Sequence, residues 1–342
     1  MAVRKHIATL PLRLIAGLLL LLAAGLFGCA LRDYPQSTLH PHSDYAWSIQ
    51  HLLEQLVFWV VVIFVLVEGA LIYTVVRFRS RPGSPDPRPV HGNTVLEVAW
   101  TIAPALILTL VAVPTVLTIF KTQAKAPPGA IEIKVVGHQW WWEFQYPEQG
   151  ITTGSEMHIP VGKPVSLSLE TADVIHSFWF PIVGGKRDVT PTHTNHVWFT
   201  ADTVGVFPGQ CAEFCGMSHA NMRMKLFVDT PQDFDAWVAG QKAPPVEPDS
   251  TSLAGKGKQV FLEVGCVACH TIEGLSPGVI GPNLTHVGSR TTIAGSLYPN
   301  HPEYVAKWLA NPQARKPGTT MLNLGLNANQ IAALVAYLQS LK

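Results

Sequence analysis

The stretch 211-CAEFCGMSHANM-222 sets two cysteines, a histidine and a methionine at positions 211, 215, 219 and 222. Thiolate and thioether ligands together favour copper over zinc, whereas imidazole suits either metal, so Met222 is the discriminating residue. A single blue-copper ion needs one thiolate, while two cysteines on one loop can bridge two copper ions through their sulfurs. A second imidazole is available from His176, in 172-ADVIHSFWF-180. A disulfide across the loop leaves both histidines and the methionine unexplained, and a structural zinc site has no use for Met222. Around the motif, 131-IEIKVV-136, 164-PVSLSLE-170, 196-HVWFTA-201 and 224-MKLFVDT-230 alternate or cluster β-branched and aromatic residues between Gly and Pro breaks. This pattern predicts a small antiparallel barrel or sandwich. It ends in a helix, 230-TPQDFDAWVAG-240, with Thr230 as N-cap and Pro231 at the first helical position.

Outward from this domain the chain becomes apolar. Mean hydropathy over the 342 residues is positive, so a membrane-embedded part is expected. Lys+Arg number 24 against Asp+Glu 23, a net charge of +1 that offers no basic field for nucleic acid. The N-terminus, 1-MAVRKHIATLPLRLIAGLLLLLAAGLFGC-29, carries Arg4, Lys5 and Arg13 before a short Leu/Ala-rich run. It reads as an export signal over residues 1–28. The LFGC ending resembles a bacterial lipobox, with Cys29 the lipidated residue, although Phe27 occupies a place where a smaller residue is usual. The alternative is an ordinary cleaved signal that leaves Cys29 a free thiol. An exported segment, 29–51, follows.

Two runs, 52–76 and 95–120, are each long enough to cross a hydrocarbon core of about 30 Å. Together they predict a transmembrane hairpin over 52–120. Arg77, Arg79, Arg81 and Arg88 outnumber Asp86 in the loop between them, which places that loop in the cytoplasm and everything beyond residue 120 outside. Glu68 lies mid-span, where a carboxyl group must face protein or water. Glu97, near the cytoplasmic end of the second span, is either a solvated helix-end carboxylate or a point where protons enter.

On the other side of the β domain (121–240), the segment 241-QKAPPVEPDS-250 has the composition of an extended, semi-rigid linker. A further domain over 251–342 opens with a helical approach to Cys266-Val-Ala-Cys269-His270, the attachment sequence of c-type haem. The thiols add to the haem vinyl groups and His270 reaches the iron. For the opposite axial position Met321 is favoured, being the only methionine after the attachment sequence, with His286 and His301 as competitors that otherwise read as polar surface or hydrogen-bonding residues. Met321 precedes a C-terminal helix in 327-NANQIAALVAYLQSLK-342, where Asn327 and Gln330 form a capping pair.

The pattern Cys211-Ala-Glu213-Phe-Cys215-x3-His219-x2-Met222 resembles the copper A motif of cytochrome c oxidase subunit II. The resemblance runs from the hairpin to about residue 240 and includes 97-EVAWTIAPALIL-108 and 137-GHQWWWEFQY-146. It implies a cupredoxin-like fold and a binuclear copper A centre. In that family's arrangement Cys211 and Cys215 bridge both coppers, His176 and Met222 complete one, and His219 with the carbonyl of Glu213 completes the other. It further implies that the Glu213 side chain serves a magnesium ion at the boundary with subunit I. Trp140 would receive the electron above the copper site, and Glu97 would mark the mouth of a proton channel. Trp140 to Trp142 otherwise read as core filler or an interfacial anchor. After the first histidine the family usually shows Asp, a short spacer and Pro-Gly; in 186-KRDVTPTHT-194 Thr192 follows Pro191, a departure that touches no copper ligand.

The C-terminal part, including 281-GPNLTHVGSR-290, resembles small cytochromes c, and the fusion resembles caa3-type oxidases. The implied architecture is a multidomain membrane protein: a transmembrane α-hairpin, an all-β cupredoxin-like copper A domain and an all-α class I cytochrome c domain. The implied function is to pass electrons from a donor cytochrome or quinol-oxidising complex through haem c and copper A to the haems of subunit I. There oxygen is reduced to water with proton pumping. Subunit III is a further implied partner, and the implied location is a bacterial inner membrane, multi-pass, with both redox domains on the periplasmic or extracellular side. A nitric oxide reductase can carry a similar copper A subunit. A nitrous oxide reductase would need a large propeller domain, and a stand-alone membrane-anchored carrier would have little use for an acid-bearing hairpin.

Overall fold

The structure, a computed structural model, describes residues 34–83, 85, 89 and 91–342. The expected export signal, Cys29, Asp86 and Arg88 lie outside the described residues.

Helices α1 (Asp44–Arg77) and α2 (Thr94–Gln123) form the hairpin. At about 1.5 Å per residue, their 34 and 30 residues exceed the thickness of a hydrocarbon core. The surplus lies at the start of α1, which begins ahead of the apolar run. Ser43 caps it by accepting from the Ala46 amide at 3.0 Å. Its first turns are tied to the β domain: Ser43 donates to the Val183 carbonyl, the Asp44 carboxylate accepts from the Thr200 amide, and the Trp47 indole donates to Asp202. The hairpin is therefore fixed in direction where it leaves the β domain. Along both apolar runs large side chains such as Phe64, Leu66, Leu108 and Phe120 are exposed, as lipid-facing or partner-facing helices require.

The ten strands are β1 (Ile131–His138), β2 (Trp141–Tyr146), β3 (Ile151–Gly154), β4 (Glu156–Pro160), β5 (Pro164–Thr171), β6 (His176–Trp179), β7 (Arg187–Val189), β8 (Asn195–Thr200), β9 (Gly205–Cys211) and β10 (Arg223–Asp229). They form two five-stranded sheets, ordered β3-β2-β1-β5-β8 and β4-β10-β9-β6-β7. Period-two burial puts Ile131, Ile133 and Val135 of β1 and Val165, Leu167 and Leu169 of β5 between the layers, with Trp142, Phe144 and Leu226. The sandwich is not wholly antiparallel: β1 pairs with β5, and β4 with β10, in parallel. Hairpin turns could not make those pairings, which come from chain crossovers between the layers. Helix α3 (Pro231–Lys242) closes the domain, its Thr230 hydroxyl accepting from the Asp233 amide.

After residues with no helix or strand from 243 to 249, the last domain packs α4 (Leu253–Glu263), α5 (Pro302–Ala310), α6 (Pro312–Arg315) and α7 (Ala328–Ser340). Two short ladders, Thr271–Ile272 with Ser276–Pro277 and Thr292–Ile293 with Tyr298–Pro299, interrupt the helices. α4 crosses α7 so closely that a Cβ on Gly257 would lie 1.9 Å from the Ala333 carbonyl oxygen, so only glycine fits there. Phe261 and Tyr337 meet edge to face beside that crossing. The Asn327–Gln330 capping box is formed at the start of α7.

Candidate metal and haem centres

Four pieces of the sandwich converge at one end. β6 starts at His176, β9 ends at Cys211, the following loop carries Glu213 and Cys215, and a short turn brings His219 and Met222 back before β10 starts. Cys211 and Cys215 are free thiols with sulfurs 3.8 Å apart. His219 Nδ1 is 3.5 Å and Met222 Sδ 3.8 Å from the Cys215 sulfur; His176 Nδ1 is 3.9 Å and the Glu213 carbonyl 3.3 Å from that of Cys211. Four of the five Cys, His and Met side chains are buried, His176 and Met222 with no exposed surface, while His219 is half-buried. Ligand atoms of His176, Cys211 and Cys215 lie within 4.8 Å of one another.

This donor set fits copper. The shared proton of the two thiols holds Cys211 below the usual thiol range and pushes Cys215 above it, because adjacent buried thiolates repel. Bound cations between the sulfurs would remove that repulsion, and the thioether selects a soft ion. Gly137 makes room for the ligand: a Cβ there would be 2.9 Å from the His176 ring.

Asp173 is a residue that motif reading missed. Its carboxylate accepts from His176 Nε2 at 2.7 Å and from the Gln139 and Val174 amides at 2.6 Å. The contact leaves Nδ1 of His176 free to serve as a ligand nitrogen. Burial pushes the Asp173 carboxyl up, but the hydrogen bond from His176 and those from the two amides outweigh it, and the group lies below its ordinary value. The sequence signal was an acid three positions before the histidine, in ADVIH.

Trp140 is buried against the copper loop. Its indole N–H donates to the Cys215 carbonyl at 3.0 Å, an oxygen that also accepts from the Gln139 side chain at 2.7 Å. Trp142 packs edge-on to His176, while Trp141 is half-buried and stacks on His138. Glu213 is exposed, next to exposed Phe214 and Met217. Far away, Glu97 is exposed in the first turn of α2 and accepts from the Asn93 amide at 3.2 Å, a helix-end contact. Glu68 is half-buried within α1.

In the helical domain, Cys266, Cys269, His270 and Met321 line one cavity, walled by Phe261, Leu309, Leu334 and Leu338. An apolar slot with two thiols at its edge, an imidazole and a thioether fits a covalently attached haem. His270 Nδ1 donates to the Pro282 carbonyl at 2.9 Å, which leaves Nε2 free to hold a haem iron, and burial holds the imidazole below its ordinary pKa, in the neutral form a ligand needs. His286 and His301 do not line the cavity. His301 is exposed at the start of α5. His286 departs from the surface or hydrogen-bonded role expected of it: it is buried, with neither ring nitrogen hydrogen-bonded.

The same cavity is lined on its other side by Gln139, Trp140, Trp141 and Ser155 of the β domain. Trp140 therefore touches the copper loop through its indole nitrogen and forms part of the haem cavity wall.

A two-helix membrane anchor, a soft-ligand metal domain and a haem-attachment domain define a membrane-bound electron-transfer subunit. Family models match along the chain: cytochrome c oxidase subunit II, transmembrane domain, over residues 40–118; its periplasmic domain over 148–228; and cytochrome c over 254–342. Cytochrome c oxidase subunit 2 of Alkalihalophilus pseudofirmus is 44% identical over 273 residues, 78% of this chain and 79% of that protein. That of Bacillus sp. (strain PS3) is 37% identical over 286 residues, covering 78% and 80% respectively. Among solved structures, the periplasmic domain of subunit II of cytochrome oxidase of Bradyrhizobium japonicum matches 35% of this chain and 96% of its own length, at 34% identity and a TM-score of 0.33. The chain belongs to the cytochrome c oxidase subunit 2 family, in a form that carries its own cytochrome c domain.

Proposed function

We propose that this subunit takes electrons from an external donor, a cytochrome or a quinol-oxidising complex, at the C-terminal domain and delivers them by way of the β domain to subunit I of a respiratory oxidase. When bound, haem c and the copper pair supply one-electron redox chemistry. Cys266 and Cys269 would hold the haem covalently, with His270 and Met321 as axial ligands. Cys211 and Cys215 would bridge the coppers, with His176 and Met222 on one and His219 and the Glu213 carbonyl on the other.

The observation that carries the reading is the double contact of Trp140. Its indole sits in the haem cavity wall and donates to the carbonyl of a copper-bridging cysteine. Trp140 would therefore supply a packed, hydrogen-bonded bridge between the two sites when both are filled. Water is excluded along it because Trp140 is 6% exposed.

The remaining roles concern the partner chains. Exposed Glu213, flanked by Phe214 and Met217, would meet subunit I and there offer its carboxylate to a magnesium ion. Glu97 at the cytoplasmic end of α2 would mark a proton channel that subunit I continues and that serves oxygen reduction and proton pumping. The lipid-exposed hairpin supports docking on subunit I and on subunit III, with the redox domains on the periplasmic side. The domain limits proposed are 52–120, 121–240 and 251–342, joined by 241–250. A nitric oxide reductase partner is the second reading, since the acceptor lies in another chain. Glu213 and Glu97 favour the oxidase.

Met222→Leu tests the ligand assignment: copper optical and paramagnetic spectra change while the haem spectrum stays intact. Unchanged copper spectra would refute it. Assaying the purified membrane complex with oxygen against nitric oxide separates the two readings.

A further inference from the structure

Two charged residues, neither part of a motif, are almost fully buried at the boundary between the β domain and the cytochrome domain. Each finds partners on the opposite side. Glu156, at the start of β4, is 3% exposed. Its carboxylate accepts from the Thr291 amide at 3.0 and 3.1 Å, the Thr291 hydroxyl at 2.7 Å and the Thr292 hydroxyl at 2.6 Å, all in the cytochrome domain. Lys316, of the cytochrome domain, is also 3% exposed. Its Nζ donates to the Trp140 carbonyl at 2.5 Å and to the Ala294 carbonyl at 2.6 Å.

We propose that Glu156 and Lys316 are positioning residues, forming a reciprocal latch that holds the cytochrome domain in one register and keeps Trp140 seated between the haem cavity and the copper loop. The inference rests on the electron path proposed above and adds that the two domains work as a fixed pair rather than as a tethered carrier swinging between positions.

Four observations support it. First, the satisfaction is mutual. If the domains part, the Glu156 carboxylate loses every hydrogen bond described for it, and the Lys316 Nζ keeps only Ala294. A buried polar group left unpaired is destabilising, so sliding by even one residue is penalised on both sides. Second, the contacts around the pair are backbone-directed and register-specific. The Arg223 amide donates to the Gly295 carbonyl, Ser296 donates to the Ser155 carbonyl, Ser218 donates to the Pro317 carbonyl, and Lys225 donates to the Thr291 hydroxyl. Third, the cytochrome loops are shaped to this contact. Ala294, Gly295 and Ser296 are consecutive positive-φ residues, and Gly295 could not carry a Cβ, which would lie 2.6 Å from the Trp140 oxygen. Gly318 has φ +82, and a Cβ there would lie 2.7 Å from the Trp140 ring. Fourth, Lys316 is closed off from water at the boundary, so its Nζ has no substitute for the two carbonyls it meets. Loop 316–318 leads directly to Met321, so the same loop meets Trp140 and carries the proposed haem ligand.

The test uses the full chain in detergent with both cofactors, comparing wild type with Lys316→Met, which keeps the stem length, and Glu156→Gln, which keeps the shape. Hydrogen exchange is read over 291–296 and 316–318, and intramolecular electron transfer is followed after flash reduction of the haem. Both variants are expected to retain wild-type haem and copper spectra, to exchange about tenfold faster or more in those segments, and to transfer electrons more slowly, at a rate that falls with solvent viscosity. Wild-type exchange and a viscosity-independent, wild-type transfer rate in both variants would overturn the latch. Should either variant lose its fold, Thr292→Val, which removes one hydroxyl donor to Glu156, is read by the same exchange measurement with the same two outcomes. Absence of copper or haem signals in the wild type would instead count against the electron path, and the exchange measurement would still decide the latch.

Discussion

Removing the carboxylate of Asp173 is the sharpest test of how the copper site is built, because the residue touches no metal. Asp173→Ala deletes the acceptor for His176 Nε2 at 2.7 Å and for the Gln139 and Val174 amides at 2.6 Å. His176 has no solvent exposure, so water cannot readily replace the lost partner. An unpaired buried donor costs about 1–3 kcal/mol. At about 1.4 kcal/mol per factor of ten, copper affinity should fall between about fivefold and a hundredfold, in line with the usual effect of removing the group that orients a ligand histidine. Asp173→Asn retains an acceptor oxygen and should lose much less. The assay is competition for copper against a chelator of known affinity on the purified full chain, with the haem spectrum as the reference for intact protein. An alanine variant that binds copper as tightly as wild type would show that Asp173 does not orient His176.

Other expectations concern the haem, the proton path and the domain boundary. Met321→Ala should shift the haem absorption and lower its potential, whereas His286→Ala should leave both in place; the reverse result would move the axial assignment to His286. Glu97→Gln should slow proton-coupled turnover while haem-to-copper transfer survives, and a normal turnover rate would remove its proton role. Burial holds Lys316 near 7, with Cys215 pulling it up and Arg223, facing it from β10, pushing it down; free in water it returns to the ordinary lysine value, so docking releases a proton between about pH 7 and 10.5. Docking should thus strengthen with rising pH in that window, by up to about tenfold per unit, and level off below it. Exchange over 291–296, corrected for its intrinsic pH dependence, should show this trend in wild type and not in Lys316→Met.

Much of the architecture was legible because its signals are local. Hydropathy marked the hairpin, the pairs Cys211/Cys215 and Cys266/Cys269 marked two sites, and the caps at Thr230 and Asn327 are formed as their sequences suggest. The start of α1 was not legible, because Ser43, Asp44 and Trp47 are held by Val183, Thr200 and Asp202, far away in the chain. The parallel β1–β5 and β4–β10 pairings were hidden for the same reason: alternation tells which face a residue takes but not which strand lies beside it. Asp173 was missed because an aspartate in a loop is usually solvated, and only the fold shows its contact with His176. His286 was misread because a histidine among Asn, Thr and Ser looks polar, while its burial is decided by how that loop meets the rest of the domain.

Glu156 and Lys316 show what the sequence conceals and what the fold does with it. A flexible tether alone raises the concentration of one domain beside the other, but it sets no orientation. An apolar contact would add affinity, yet oily surfaces tolerate sliding and rotation. Buried polar groups behave differently: each is stable only with its partners in place, and displacement strands them on both sides at once. Here the stranded groups would include the lysine that holds the Trp140 carbonyl and the loop leading to Met321. In the proposed latch, the interactions that fix the domain boundary are also those that fix the distance between the two sites, so a change that loosens the boundary would disturb the proposed path between them.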